Sequence, residues 1–133
     1  MELKEPHAGC YDHGRMSIDA VRRICRTLPG VTEDVKWDDD LCFLIGGKMF
    51  CVTCRTPIPD KVASFKCSDD DFVRLIATKD YVPAPYLARA KWVMLTNPKL
   101  VRSAEFRGLL RRSYELILAK LPKKVQEKIA GED

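Results

Sequence analysis

Two apolar runs flank a glycine pair near the middle of the chain, in the stretch LCFLIGGKMFCVTCR at Leu41–Arg55. Glycine accepts the positive backbone φ angles that a two-residue hairpin turn needs. The stretch therefore predicts a β-hairpin that turns at Gly46-Gly47. Alternation along its second strand predicts two faces, with Phe50, Val52 and Cys54 on one and Met49, Cys51, Thr53 and Arg55 on the other.

The other apolar patterns predict three helices and several short strands. Helical spacing predicts helices over residues 18–28, capped by Ser17, after the cap Ser68, and over 103–121. Alternating apolar residues predict strands near Val35–Trp37, over Val62–Cys67, and in the second half of Leu87–Leu95. This order is typical of an α+β fold, an antiparallel sheet with helices packed on one face.

A length of 133 residues suits one domain. Residues 1–16 lack periodicity and are expected to be a flexible N-terminal tail, residues 17–122 to form the domain, and residues 123–133 to be a polar C-terminal tail. No apolar run approaches the roughly 20 residues of a membrane-spanning helix. The N-terminus also lacks the apolar segment of a secretory signal, so we expect a cytoplasmic protein that does not enter a membrane.

The candidate metal and redox patterns are incomplete. The six cysteines are expected to be free thiols, since a cytoplasmic protein is kept reduced. His7, Cys10 and His13 are residue types that can bind zinc and are spaced three apart, but a closed zinc site needs a fourth ligand. The pair Cys51-x-x-Cys54 would place its two sulfurs on opposite faces of a strand, whereas a redox pair lies at a helix N-terminus. We expect no metal and no cofactor.

Enzyme signatures are absent from the sequence. There is no GxxxxGK[ST] phosphate loop, no GxGxxG and no GxSxG elbow, and both histidines lie in the predicted N-terminal tail. The carboxylates between Val31 and Asp40 lack the glycine and distal glutamate of a calcium loop, so they are expected to form a solvated turn. These observations predict a protein that is not an enzyme.

Basic and aromatic residues interleave late in the chain, at Tyr86, Arg89, Lys91 and Trp92. The net charge of +4 permits an anionic partner without requiring one. This mixture can grip a phosphate backbone and stack on a base. The alternative is a strand whose tryptophan is core and whose charges are solvated, and the sequence leaves both open.

The pattern as a whole resembles the MmcQ/YjbR family over about residues 17–122. The segments that carry the resemblance are Leu28–Glu33, Gly46–Phe50, Ser64–Cys67, Pro85-Tyr86 with Lys91–Val93, and Ser113–Leu116 with Lys120–Pro122. The resemblance implies a compact α+β domain similar to the CyaY/frataxin-like fold, and DNA binding through a double-wing arrangement. Gly46, Gly47 and Lys48 match the hairpin turn, Lys66 and Trp92 match family positions, and Lys91 stands where many members have histidine.

Three functional hypotheses follow. In the first, the domain binds DNA through phosphate contacts, with aromatic support or stacking. The phosphate contacts would be Arg22, Arg23, Lys48, Arg55, Lys66, Arg89 and Lys91, and the aromatic residues Tyr86 and Trp92. In the second, the Pro83–Trp92 surface binds another protein or a small ligand. The third, iron handling by analogy with frataxin, rests on fold alone and ranks last, because the first helix presents arginines rather than carboxylates.

Overall fold

A computed structural model describes residues 16–37, 39–85 and 87–131. Helix α1 covers residues 16–26. The later helices are α2 (Asp69–Ile76), α3 (Ala104–Leu118) and α4 (Lys123–Gly131), and 3₁₀ turns cover Ala88–Ala90 and Pro98–Arg102. The strands are β1 (Val31–Lys36), β2 (Asp40–Ile45), β3 (Lys48–Cys54), β4 (Ala63–Lys66), β5 (Tyr81–Pro83) and β6 (Trp92–Leu95).

The six strands form one antiparallel sheet in the order β1-β2-β3-β4-β6-β5. This confirms the predicted α+β class and the central hairpin, whose Gly46 and Gly47 have φ angles of +59° and +80°. Ser68 caps α2 as expected, since its hydroxyl accepts a hydrogen bond from the Asp71 amide. Among the described residues, the helices lack the combined length and apolar character that crossing a bilayer requires.

One face of the sheet carries the helices and the core. Alternate residues of β2, namely Leu41, Phe43 and Ile45, belong to a buried cluster that includes side chains from all four helices. The rings of Phe65 and Phe106 meet edge to face at the centre of this cluster. Burying aromatic side chains in this way is the main source of stability for a domain of this size.

The opposite face of the sheet, called here the open face, carries the other set of alternate residues. Cross-strand pairing places Val52 of β3 beside Ser64 of β4, and Ser64 beside Met94 of β6. In the described part of the chain, the buried apolar helix residues all belong to the cluster on the other side. The open face is therefore the part of the sheet that is available for binding.

The prediction for the faces of β3 was wrong at Met49 and Phe50, which lie on the faces opposite to those predicted. The register of the β2–β3 hairpin shifts between Phe43 and Leu44, so one extra residue enters β3 there. As a result Phe50 and Cys51 both turn toward the core and are fully buried, while Val52 and Cys54 remain on the open face. A β-bulge of this kind reverses the alternation that the sequence pattern assumes.

Strands β3 and β4 share only two paired positions, and side-chain hydroxyls extend the contact at both ends. At one end the hydroxyl of Ser113, on α3, donates to the Phe50 carbonyl at 2.6 Å and accepts from the Lys66 amide at 3.0 Å. At the other end the Thr53 hydroxyl donates to the Val62 carbonyl at 2.6 Å. The centre of the sheet is thus held partly by side chains, because the two strands separate beyond their short ladder.

Three other predictions about elements need correction. Ser17 lies inside α1 rather than at its cap, because residue 16 is already helical. The segment after Asp80, where no strand was predicted, forms the edge strand β5 against β6. The predicted polar C-terminal tail contains α4, and Ile129 on that helix is buried in the core beside Gly30.

Candidate functional site

Lys66 lies at the end of β4, on the open face, and its side chain reaches the 3₁₀ turn at Ala88–Ala90. Its amine donates to the Ala90 carbonyl at 2.6 Å. Burial is the main cause that lowers the pKa of this amine, and the positive charge of Lys120 lowers it further; Cys67 and Asp69 oppose this, and Lys91 has the smallest lowering effect. Lys120 and Lys91 thus each lie within electrostatic range of Lys66, and we call Lys66, Lys91 and Lys120 the lysine cluster.

Two further cations flank the lysine cluster. The hairpin tip packs against the end of α3, since a Cβ placed on Gly46 would meet a methyl carbon of Leu121, the neighbour of Lys120, at 2.5 Å. This brings the exposed Lys48 to the Lys120 side of the cluster. On the other side, the exposed Arg89 belongs to the 3₁₀ turn that accepts the hydrogen bond from Lys66.

Lys91 is held in place by its backbone and by an aromatic ring. The residue has a left-handed conformation, with φ of 64°, which ends the 3₁₀ turn. Its carbonyl accepts the Cys67 amide at 2.9 Å, and its amine lies 5.1 Å from the centre of the Phe72 ring. A cation over an aromatic face is attracted to it, so the amine is positioned without a carboxylate partner.

The structure does not bring Arg22 and Arg55 into this group as free cations. Arg22 donates to Glu33 at 2.9 Å, and Arg26 donates to the same carboxylate at 2.8 Å. The hydrogen bond from Arg22 is the largest of the effects that lower the pKa of Glu33. Arg55 donates to Asp39 at 3.3 Å. These arginines are engaged with carboxylates, which reduces what they could offer a phosphate.

The aromatic candidates do not support stacking on a base. Trp92 is only 5% exposed, so its ring belongs to the packed part of the domain. Tyr86 lies outside the described residues. Arg23 is exposed on α1 and forms no ion pair with any residue that the structure describes. Of the nine predicted contacts, Lys48, Lys66, Arg89 and Lys91 are brought together.

A cleft of about 540 Å³ opens on the same face, beside the other end of the β3–β4 ladder. Its apolar lining comes from β3, β6 and the segment after β5, and its polar lining from the ends of β2, β3 and β4. The lining residues are Trp37, Asp40, Met49, Val52, Thr53, Cys54, Lys61, Val62, Ala63, Ser64, Ala84, Pro85, Leu87 and Met94. This volume falls within the range of small-molecule sites in proteins.

The thiols are poorly suited to chemistry. Burial is the first cause that raises the pKa of Cys42, Cys51, Cys54 and Cys67, in the last case to about 11. The Cys51 thiol contacts Cys25 rather than Cys54, and that contact raises its pKa further. Within the described residues, no group of three or more histidine, cysteine or acidic side chains is placed to hold a metal ion. His7, Cys10 and His13 lie outside those residues.

Sequence reasoning missed Lys120 as part of the cationic group and missed most of the cleft. Lys120 is not among the predicted contacts, because its proximity to Lys66 depends on how α3 crosses the sheet. The cleft could have been predicted from the alternation of side chains along β3 and β6. Met49, Val52 and Met94 are apolar residues on the face opposite the helices, which predicts an uncovered apolar surface.

Comparison with known proteins identifies one family. The family model described as YjbR matches residues 26–116, about two thirds of the chain, from the last turn of α1 into α3. A search of curated proteins finds no match. The matched range includes Lys48, Lys66, Arg89 and Lys91, and it ends before Lys120.

Proposed function

Because the chain belongs to the YjbR family, we propose that it is a non-enzymatic domain that binds duplex DNA through phosphate contacts. The observation that carries this proposal is the lysine cluster, in which Lys120 and Lys91 both act electrostatically on Lys66 and none of the three forms an ion pair with a described carboxylate. Like charges gathered on one surface repel one another, so an anionic partner that binds there relieves the repulsion.

The arrangement suits a backbone better than a single phosphate. Besides Lys66 and Lys91, exposed cations stand at the hairpin tip (Lys48), just after α3 (Lys120) and in the 3₁₀ turn (Arg89). Contacts from several such residues neutralise several phosphates, and their number sets how steeply affinity falls with salt. Base stacking by Trp92 is not part of the proposal, since that ring is buried.

The experiment is a titration of fluorescent duplex DNA at several salt concentrations, comparing two triple variants. The test variant replaces Lys48, Lys91 and Lys120 with glutamine. The control replaces Lys79, Lys99 and Lys128, which are exposed and are not among the charges that act on Lys66. Each variant lowers the formal net charge from +4 to +1, that is 4 − 3.

The proposal predicts a smaller salt slope for the test variant alone. Each phosphate contact contributes about 0.9 to the slope of log affinity against log salt, so three lost contacts reduce it by roughly 2.7. The control should keep nearly the full slope. Equal losses in both variants would indicate binding by overall charge and would overturn the proposal.

A second candidate function is supported by the cleft. The alternative hypothesis was a protein-interaction or small-ligand module that uses the Pro83–Trp92 surface, and Ala84, Pro85 and Leu87 of that segment line the cleft. The apolar cleft that this hypothesis expects lies beside Met94 rather than beside the buried Trp92. Its test is binding of a small molecule observed at the cleft methionines.

A further inference from the structure

The cleft combines an apolar floor with two opposite charges. Met49 and Val52 of β3 and Met94 of β6 contribute apolar surface from the open face of the sheet. Asp40, at the start of β2, and Lys61, before β4, also line the cleft. Neither forms an ion pair with any residue that the structure describes, although both stand at an apolar surface.

The position of Cys54 relates the two charges to each other. Asp40 lies directly opposite Cys54 in the β2–β3 ladder. After burial, which is the main cause, Asp40 and Asp39 raise the pKa of the Cys54 thiol, whereas Lys61 lowers it. Asp40 and Lys61 therefore lie within electrostatic range of one thiol that itself lines the cleft. Arg55 forms an ion pair with Asp39, so of these two carboxylates Asp40 is the one available to a ligand.

An aromatic side chain also lines the cleft. Trp37 is 68% exposed, and its backbone adopts a positive φ of 49° in the turn after β1. Thioether sulfurs make favourable contacts with aromatic rings, and two of the four methionines of the chain line the same cleft. A flat ring placed there would contact the indole of Trp37 as well as the side chains of Met49 and Met94.

We propose that the cleft binds a small zwitterionic aromatic molecule of the aromatic amino-acid type. Its ring lies against Trp37, Met49 and Met94. Its ammonium group pairs with Asp40 and its carboxylate with Lys61. The two unpaired charges of opposite sign argue for this head group, because a ligand with only one charge would leave the other protein charge without a partner at an apolar surface. The inference deepens the second candidate function and is independent of DNA binding.

The test uses protein labelled with ¹³C at the methionine methyl groups. Met49 and Met94 report on the cleft, whereas Met16 lies on α1 and serves as an internal reference. The probes form a matched series with one ring system. They are tryptophan with both charges, tryptamine with the ammonium, indole-3-acetate with the carboxylate, and indole with neither. We expect tryptophan to shift the Met49 and Met94 methyl signals at lower concentration than the other three probes.

Two substitutions distinguish recognition of the ligand's charged head group from contact of its ring with the apolar floor of the cleft. Asp40→Asn and Lys61→Gln should each weaken tryptophan binding about tenfold, the effect of losing one charge-assisted hydrogen bond. They should leave indole binding unchanged. Lys79→Gln, at an exposed site outside the cleft, is the matched control and should bind tryptophan as the unmodified protein does. Unshifted methionine signals in the ligand-free variants establish that the fold is intact.

Three results would overturn the inference in different ways. Equal shifts with indole and tryptophan would show that Asp40 and Lys61 do not recognise a charged head group. The cleft would remain an apolar ligand site, so the second candidate function would stand. No shift with any probe at millimolar concentration would exclude both. If the methyl signals of Met49 and Met94 shift with protein concentration alone, the cleft binds a second copy of this chain.

Discussion

The helix-covered face of the sheet is filled by aromatic rings, whereas the open face carries a cleft, and the lysine cluster lies around the end of β4, between that face and the helices. On the covered face, Phe65 contacts both Phe106 and Tyr81 edge to face, and Phe50 contacts Tyr114. On the open face, the same strands present Ser64, Lys66 and Met94. Strands β4 and β6 thus bury one set of side chains and expose the other. The buried set stabilises the fold, and the exposed set is available for the proposed binding.

Within the open face, the two candidate sites lie toward opposite ends of β4. The cleft includes Ala63 and Ser64 at its beginning, and the lysine cluster includes Lys66 at its end. The four residues of this strand therefore connect an apolar site to a cationic one. Their spacing allows each site to be changed by substitution without touching the other.

The largest expected effect comes from truncating one large side chain on each face. Phe65→Ala should lower the free energy of unfolding by about 3–5 kcal/mol, because a fully buried ring is replaced by a cavity. Met94→Ala, on the neighbouring strand but on the open face, should lower it by less than about 1 kcal/mol. Urea denaturation measures both. Comparable losses would mean that the open face is as tightly packed as the covered one.

The next effect concerns the hydroxyl of Ser113, which joins strands β3 and β4. Ser113→Ala removes the group that bridges the Phe50 carbonyl and the Lys66 amide, and it should destabilise the protein by about 2–3 kcal/mol. Amide hydrogen exchange should also accelerate at Lys66. Exchange that stays as slow as in the unmodified protein would show that the β3–β4 contact does not depend on this hydroxyl.

The hairpin tip allows a matched pair of glycine substitutions. Both glycines have positive φ, so replacing either with alanine should cost about 1 kcal/mol. Gly46→Ala should cost about 1 kcal/mol more, because the new Cβ would meet Leu121, while nothing lies within 4 Å of a Cβ on Gly47. Thermal unfolding distinguishes them. Equal losses would show that the tip does not rest on the end of α3, and Lys48 would then not be held near Lys120.

Much of the covered face could be predicted from sequence, because residues close together in the chain specify its elements. The glycine pair, the Ser68 cap and the apolar period of α3 each specify an element through neighbouring residues. The bulge at Phe50 could not be predicted, since it depends on how β3 pairs with β2. Helix α4 was missed because only Ile129 and its partly buried neighbours pack inward on an otherwise charged segment.

The candidate site was predicted less well than the fold. Seven positive charges and two aromatic residues made up the nine predicted contacts, but the pairing of Arg22 with Glu33 and of Arg55 with Asp39 depends on positions far apart in sequence. The burial of Trp92 is likewise a property of the folded chain and not of its local sequence. Which charges are free is a property of the folded surface.

The smallest expected effect tests an ion-pair network on the covered side. Asp71 accepts from Arg74 and Arg112, whose hydrogen bonds outweigh the opposing effect of burial and lower the pKa of Asp71 from its ordinary 3.8. A lowered folded-state pKa means that this stability is present above pH 3.8 and is lost as pH falls through the folded value. Asp71→Asn should cost about 1 kcal/mol at pH 7, since both arginines are half exposed.

Its check is the pH dependence of the free energy of unfolding between pH 7 and pH 2. The difference between the unmodified protein and Asp71→Asn should shrink toward the acidic end, because protonated aspartate resembles asparagine. A difference that stays constant down to pH 2 would show that Asp71 acts through packing rather than through its charge.

The most direct test of the central claim is to map DNA binding on ¹⁵N-labelled protein at low and moderate salt. We predict the largest amide shift changes at residues 46–48, at Lys66 and at residues 89–91, all diminishing as salt rises. Arg107 and Arg111, exposed on α3 away from this group, should change little. Changes of equal size at those two arginines, or changes that follow every basic residue alike, would contradict a defined DNA-binding surface on the open face.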